Sequence, residues 1–455
     1  MAADEEIAVD VVVIGLGPGG EHVASRLATA GLDVVGVEER LVGGECPYYG
    51  CVPSKMMVAA AHTLAEARRV PDFAGAAQVQ PDWSPVAQRI RDEATDDWDD
   101  AVAVKRLEDA GARFVRGRGR LAGPGRVEVG GTTYVAAKGV VLNTGTAPAA
   151  PPIEGLADTP YWTNRDAVRL TELPGSVIVL GGGAIGCEFA QVFARFGVRV
   201  TVVEVADRLL AAEEPEASAA LEKAFAAEGI QVLAGVEVGS VRHADGSFTL
   251  DLGDQEVSAD KLLVAAGRRT NLVDLGLEAA GLDPDATSLE TDERMRAGDR
   301  LWAIGDITGR GAFTHVSMYQ AAVVVRDILG EDGPWADYRA VPRVTFTAPE
   351  VAAVGMTEHQ ARESGLDPAT ATGDLGTRGW LARDEGLIKL VANPAEDVLV
   401  GASVVGSTGG EVMSMLATAI HARVPLPTLR SMHFAYPTSH RAVESALAGF
   451  GDSGV

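Results

Sequence analysis

The chain has 455 residues, 47% hydrophobic and 23% charged, the make-up of a globular protein with buried cores and room for roughly two to four domains. A formal net charge of −25 excludes an extensive basic surface of the kind that neutralises nucleic-acid phosphates or anionic lipid. Three cysteines, Cys46, Cys51 and Cys187, are too few for a disulfide-stapled secreted scaffold, so the close pair reads as catalytic or metal-binding.

The opening MAADEEIAVDVVVIG is acidic, and its apolar run is too short for a signal peptide or a membrane span. The expectation is a cytoplasmic protein with neither nucleic-acid nor membrane partner. Within that stretch the β-branched run VDVVVIG predicts a strand, ending in Gly15-x-Gly17-x-x-Gly20. EHVASRLATAGL follows with Val23, Leu27 and Ala28 at helical spacing, and DVVGVE predicts a second strand ending at Glu38. These parts make a βαβ unit: glycines permit close backbone approach, the helix N-terminus holds a pyrophosphate, and the acid accepts from a ribose hydroxyl.

Next comes GGECPYYGCVPSK, residues 43 to 55. A disulfide between Cys46 and Cys51 closes a small loop, gains little from loop-closure entropy and is readily reduced, which suits switching better than stapling. Pro53 fits the first turn of a helix continuing through SKMMVAAAHTLAEARR, which puts Cys51 near the positive helix end and favours its thiolate. Structural zinc is the rival reading, but no CxxC or HxxxH companion lies nearby, and no metal ligand set is expected.

The segments VVLNTGTAP (140 to 148) and LLVAAGRRTN (262 to 271) each run an apolar strand into a glycine turn and read as chain crossovers. A Pro-rich stretch around 149 to 155 links to a second βαβ unit, SVIVLGGGAIGCEFAQVFARFGVRVTVVE. It repeats the fingerprint as Gly181-x-Gly183-x-x-Gly186, with Glu204 again 23 positions after the first glycine. Two such units in one chain predict two dinucleotide sites. Cys187 reads as core packing on the inner turn of the second helix. LWAIGDITG (301 to 309) predicts a buried strand ending in Asp306, and beyond Pro342 the strands LIKLVAN and VLVGASVVG with the helical run EVMSMLATAIHA predict a separate α+β region. The fold expected is α/β: two Rossmann-like dinucleotide-binding domains plus a C-terminal α+β domain. Its divisions are 1–150 and 271–340 for a discontinuous first domain, 151–270 for the second, and 341–455 for the C-terminal one.

Taken together, the two fingerprints, GGECPYYGCVPSK, NTGTAP, GRRTN, WAIGD and PRVTFTAPEVAAVGMTE resemble the flavoprotein pyridine nucleotide-disulfide oxidoreductases, in family order from about Val9 to Leu447. That family includes dihydrolipoyl dehydrogenase, glutathione reductase and mercuric ion reductase. The resemblance implies FAD on Gly15, Gly17, Gly20, Glu38 and Asp306, and the nicotinamide cofactor on Gly181, Gly183, Gly186 and Glu204. Gly119, Thr144, Gly145, His315 and Gly267 complete the implied cofactor-binding set. It also implies that Cys51 faces the flavin, that Cys46 meets substrate, and that Lys55, paired with Glu188, lies near flavin N5. A homodimer is implied by the resemblance alone.

Glu204 favours NAD(H), because a carboxylate hydrogen-bonds a free 2′-hydroxyl and repels a 2′-phosphate; Arg208, four positions on, keeps NADP(H) as the alternative. The C-terminal segment departs from the family pattern. Dithiol-handling members carry His-Pro-Thr-x-x-Glu, whereas HFAYPTSHRAVESAL has Tyr436 in the histidine position and Arg441 in the glutamate position. A phenol with its ordinary pKa near ~10 is a poor base at neutral pH. If Pro437 opens a helix, His440 shares a face with Tyr436 and is a substitute candidate. No cysteine follows Cys187, so the C-terminal pair of mercuric reductases is missing. The leading expectation is NADH to flavin to the Cys46–Cys51 disulfide, then to a disulfide or other small acceptor. The alternatives are a diaphorase or quinone reductase using reduced flavin directly, and a non-catalytic redox-sensing subunit.

Overall fold

The computed structural model describes residues 5 to 451. The chain forms two compact units, one built from 1–54, 87–149 and 268–337, the other from 55–86, 150–267 and 338–455.

In the first unit the apolar run becomes the strand Glu5–Ile14, flanked in parallel by Val34–Glu38 and Thr132–Leu142. Arg113–Arg116 extends the sheet beyond Val34–Glu38, and Leu301–Ala303 extends it beyond Thr132–Leu142, both in parallel. The antiparallel strand Arg296–Gly298 and a hairpin, Arg120–Gly123 with Arg126–Val129, complete eight strands. Both faces of this sheet are covered, which explains why Val11, Val12 and Val13 have no exposed surface and why the strand reads as a continuous apolar run rather than an alternating one. Burying each such side chain contributes about 1.5–3 kcal/mol. Residues 296–303 thus join a sheet whose other six strands come from before residue 143.

In the second unit Gln231–Ala234, Arg199–Glu204, Ser176–Leu180 and Lys261–Val264 form a four-stranded parallel sheet, backed by a three-stranded antiparallel sheet over 240–259. Its C-terminal part is a five-stranded antiparallel sheet, in the order Pro342–Thr345, Glu350–Gly355, Val398–Gly406, Leu387–Asn393, Ala369–Asp374. The helices Gly409–His421 and Arg441–Ala448 supply Leu416, Ile420, Val443 and Leu447 to one core with Ile388, Leu390 and Val404. The chain is therefore an α/β protein with two Rossmann-like sheets and a C-terminal α+β region.

Two ionic groups fasten the Pro215–Ala227 helix to the C-terminal sheet. Arg343 makes a bidentate pair with Glu213 at 2.7 and 2.9 Å, and Lys389 Nζ lies 2.9 Å from carboxylate oxygens of Glu214, Glu216 and Glu358. Burial alone lowers the Lys389 pKa, but hydrogen bonds to three carboxylates outweigh it and hold the ammonium above its ordinary value. Among the described residues no helix is long and apolar enough to cross a membrane.

Candidate active site

The two glycine fingerprints fold into the same object. Gly15 and Gly181 end their strands with φ of +89° and +113°, which glycine adopts without a Cβ clash. Gly17 and Gly183 cap the helices Pro18–Thr29 and Ala184–Arg195. A Cβ on Gly20 would stand 2.0 Å from Gly15 O, and one on Gly186 would stand 2.0 Å from Gly181 O. Each helix therefore starts directly over its turn, with N–H groups aimed at the space a pyrophosphate takes. The acids match as well. Glu38 accepts from Leu16 N and Arg40 N, both at 2.8 Å, while Glu204 accepts from Gly182 N at 2.5 Å and Ala206 N at 2.7 Å. Burial raises the Glu38 pKa against the opposing pull of those two amides. Arg208, the candidate phosphate receptor, turns instead to backbone carbonyls, donating to Ala211 O at 2.9 Å and Glu213 O at 3.1 Å.

Around the first turn the residues fit an FAD. Asn143 is buried beside Gly15, and the next hydroxyl, Thr144 Oγ1, is buried without a hydrogen-bond partner. An orphaned hydroxyl of this kind is costly unless a ligand oxygen or nitrogen meets it. Gly145, with φ of +64°, has open space where a Cβ would point. Asp306, in the turn Gly305–Thr308, accepts from Thr146 Oγ1 at 2.5 Å. Gly119 is buried, its absent Cβ replaced by Ile14 Cγ2 at 3.1 Å. His315 is exposed on the first turn of the Thr314–Leu329 helix, stacked on Phe313. In the second unit Gly267 has φ of +135° and open space at its Cβ position.

Cys46 lies in the one-turn helix Glu45–Tyr48, and Cys51 is the first residue of the helix Cys51–Phe73. Cys46 is partly exposed and Cys51 exposed. Cys51 Sγ is 3.4 Å from Thr314 Oγ1, the first residue of the Thr314–Leu329 helix. The sulfur of Cys51 thus meets the positive ends of two helices, a double bias toward the thiolate. Tyr48, between the cysteines, has its phenol pushed up to about 12 by burial and so remains neutral. Cys187 is fully buried, donates to Gly182 O at 3.2 Å, and has its thiol pKa pushed up by burial, which suits packing rather than reactivity.

Lys55 Nζ lies 2.5 Å from Glu188 Oε2, and Glu188 Oε1 accepts from Phe346 N at 2.9 Å. Glu188 is buried, with its side chain 7% exposed, while Lys55 remains 36% exposed. The carboxylate is held from one side by backbone and by charge from the other, and it pins a cation whose other face is 4.9 Å from the Phe346 ring. Among the described residues no cluster of three His, Cys, Asp or Glu side chains has the geometry to hold a metal ion.

The C-terminal segment does not form the expected helix at Pro437. Residues 436–440 make turns, the helix begins at Arg441, and His440 is its exposed N-cap residue. The peptide bond before Pro437 is cis. Tyr436 and His440 therefore do not share a helical face, which corrects the expectation of a histidine substitute placed by helical spacing. Tyr436 is 65% exposed, its hydroxyl 3.4 Å from Thr377 Oγ1 and its ring beneath the Arg441 guanidinium at 5.6 Å.

Three participants escaped the sequence reading. Arg268 donates to Thr146 Oγ1 at 2.7 Å and Thr146 O at 3.0 Å, and reaches Glu45 Oε2 at 3.3 Å, so it ties the Asp306 turn to the cysteine loop. Thr314 and Phe346 are the others. Arg268 and Phe346 lie in the segments GRRTN and PRVTFTAPE, but pairwise contacts between residues more than 120 positions apart leave no periodic trace.

The family described as pyridine nucleotide-disulphide oxidoreductase matches residues 9–321, and its dimerisation domain matches residues 341–447. Among curated relatives, a mercuric reductase of Streptomyces lividans is 35% identical, over 97% of this chain and 96% of its own length. A dihydrolipoyl dehydrogenase of Halobacterium salinarum is 32% identical over 98% and 97%. Among solved structures, the Cu(II) complex of the HOCl-induced flavoprotein disulfide reductase RclA from Escherichia coli superposes with a TM-score of 0.85, at 27% identity over 97% of this chain and 99% of that one. LpdA from Mycobacterium tuberculosis gives 0.85 and 27% over 96% and 99%. With two glycine fingerprints, a close cysteine pair whose second member starts a helix, and family matches across both regions, the chain belongs to the class I pyridine nucleotide-disulphide oxidoreductases, a family of flavin-dependent enzymes that use pyridine nucleotides.

Proposed function

We propose that this protein is an NADH-dependent disulfide reductase that works as a homodimer, with Cys46 and Cys51 as its redox couple. The observation that carries the reading is the placement of Cys51 at the start of one helix and within 3.4 Å of the first residue of another. A thiolate is stabilised at such a place, and the thiolate is the reacting form of a cysteine.

FAD, when bound, supplies the two-electron link between nicotinamide and disulfide. It is held by Gly15, Gly17, Gly20, Glu38, Thr144, Gly145 and Asp306, with Gly119 and His315 bordering the site. The nicotinamide dinucleotide is held by Gly181, Gly183, Gly186, Glu204 and Gly267. Because the Arg208 guanidinium is engaged with two backbone carbonyls, Glu204 faces the ribose without a cation to receive a phosphate, which supports NADH. Lys55, oriented by Glu188, provides a fixed positive charge where negative charge develops.

In the outgoing half-reaction the reduced couple acts alone. Cys46 thiolate attacks an acceptor disulfide, forming a mixed disulfide and releasing one thiolate. Cys51 thiolate then attacks Cys46 Sγ, restores the Cys46–Cys51 bond and expels the second thiolate. The two protons of the dithiol leave with the two products. The chain has only three cysteines, and Cys187 is buried, so the couple receives its acceptor without a further thiol to relay it. This favours a small acceptor over a metal ion that needs carrying ligands.

Cys46→Ser tests the reading. NADH should still bleach the flavin absorbance in the variant, while steady-state reduction of low-molecular-weight disulfides falls by at least ~10³-fold. Undiminished disulfide turnover in the variant refutes the couple. Full turnover with quinones alone would identify a diaphorase instead.

A further inference from the structure

The segment between the Ile90–Ala94 turn and the Ala101–Asp109 helix holds an unusual backbone. Asp96, Asp97 and Trp98 follow one another with φ of 47°, 55° and 59°. Three consecutive residues with side chains in the left-handed region are uncommon, and for a residue as large as tryptophan such a φ is an outlier. The residues before them, 90–94, form a π-helix, a further departure that recurs at functional sites. Such a run persists only where surrounding contacts over-determine it. Those contacts are present. Asp97 N donates to Arg91 O at 2.7 Å, Asp99 N to Asp96 O at 3.1 Å, and the buried Thr95 hydroxyl lies 3.0 Å from Ile90 O, 3.2 Å from Arg91 O and 3.4 Å from Trp98 N.

What the turn delivers is the Trp98 indole. Its Nε1–H donates to Tyr48 O at 3.0 Å, the last carbonyl of the one-turn helix that carries Cys46. Two residues on, buried Asp100 accepts from Val42 N at 2.7 Å and from Arg116 Nη2 at 2.6 Å. The stretch 98–100 therefore grips this segment at two points, at Val42 ahead of Gly43 and at Tyr48 between the two cysteines.

We propose that Trp98 is a positioning residue for the Cys46–Cys51 couple, acting through the hydrogen bond from its indole N–H to the Tyr48 carbonyl. The inference rests on the reading of that pair as redox-active. Tyr49 N and Gly50 N both donate to Glu45 O, so residues 45–50 move as one turn, and fixing Tyr48 O fixes where Cys46 stands relative to Cys51. A fixed turn raises the effective concentration of one sulfur at the other and so favours the closed disulfide. Loosening it shifts the couple toward the dithiol, with two electrons and two protons taken up as the sulfur–sulfur bond breaks.

The experiment equilibrates FAD-loaded enzyme anaerobically in buffers of reduced and oxidised dithiothreitol, alkylates the thiols, and counts them at 46 and 51 by mass spectrometry. Trp98→Phe keeps an aromatic ring and loses the donor. Its midpoint should lie at a ratio of reduced to oxidised dithiothreitol roughly tenfold lower than wild type, a shift of ~30 mV for a two-electron couple. Thr95→Val loosens the same turn from beneath and should move the midpoint in the same direction by less, and it decides alone if the Phe variant fails to retain flavin. Midpoints within about twofold of wild type in the flavin-retaining variants overturn the proposal, since a residue that only fills space does not move a potential. A wild-type enzyme with no reducible bond between Cys46 and Cys51 refutes the redox reading itself, a result distinct from an unmoved midpoint.

Discussion

At residue 20 and at residue 186 the chain makes the same approach, a helix crossing its own glycine turn so closely that an added Cβ would meet a carbonyl oxygen at 2.0 Å. The ground on which each turn ends is different. The first turn abuts Asn143, Thr144 and Gly145, where a buried hydroxyl lacks a protein partner and where the Asp306 turn is tied in through Thr146. The second abuts Ala265 and faces Leu209, with Glu204 drawn to two amides and Arg208 drawn to two carbonyls. We propose that this shared turn serves as a pyrophosphate site in both places, with the side chains at the neighbouring strand ends deciding which dinucleotide each takes.

The most severe way to break this symmetry is to fill the two contacts one at a time. Gly20→Val should give protein purified without flavin absorbance, because the helix can no longer sit over the first turn. Gly186→Val should retain flavin and remain reducible by dithionite, while kcat/KM for NADH drops by at least ~10²-fold. Absorbance spectra and stopped-flow reduction separate the two results. An exchange of phenotypes between the variants would reverse the assignment of the sites.

The glycine spacing and the terminal acids encode local geometry within 24 residues, and local geometry leaves a pattern: every element from Glu5 to Glu38 and from Ser176 to Glu204 was legible from apolar runs and glycines. Cys51 at a helix start was legible for the same reason, through Pro53 two positions on. Long-range partnerships were not. Nothing in the periodicity of residues 262–271 states that Arg268 reaches Thr146 and Glu45, and nothing in DDWDD states that three successive residues take left-handed backbone to aim an indole at the cysteine loop. The expectation of a helix from Pro437 failed because proline suits a first helical turn only when the following residues continue it, and here the chain turns until Arg441.

A smaller effect sharpens the contrast at the second acid. Glu204→Gln keeps an acceptor for the turn amides and removes the charge. KM for NADH should rise about tenfold, the scale of one hydrogen bond to a charged group. KM for NADPH should fall by less than that, and NADPH should not overtake NADH, because Arg208 is still held by Ala211 O and Glu213 O. Initial-rate measurements with both nucleotides check this, and a variant that prefers NADPH would mean that Arg208 leaves its carbonyls readily.

The smallest effect concerns the first acid and its pH dependence. Burial raises the Glu38 pKa above 4.5, although amides of Arg40 and Leu16 oppose the rise. A carboxyl whose pKa is higher folded than unfolded leaves the native state holding more protons between the two values. This group's contribution to stability therefore falls as pH climbs from about 4.5 to the raised value. Glu38→Gln cannot titrate. Whatever constant offset the substitution brings, the difference in thermal midpoint between the two proteins should move in favour of the variant as pH rises through that window, and level off above it. Scanning calorimetry of both across pH 4 to 7 reads the slope, with all other carboxyls cancelling in the difference. A difference that moves the opposite way would show that the two amides outweigh burial, and that the turn stabilises its acid in the charged form before any ribose is present.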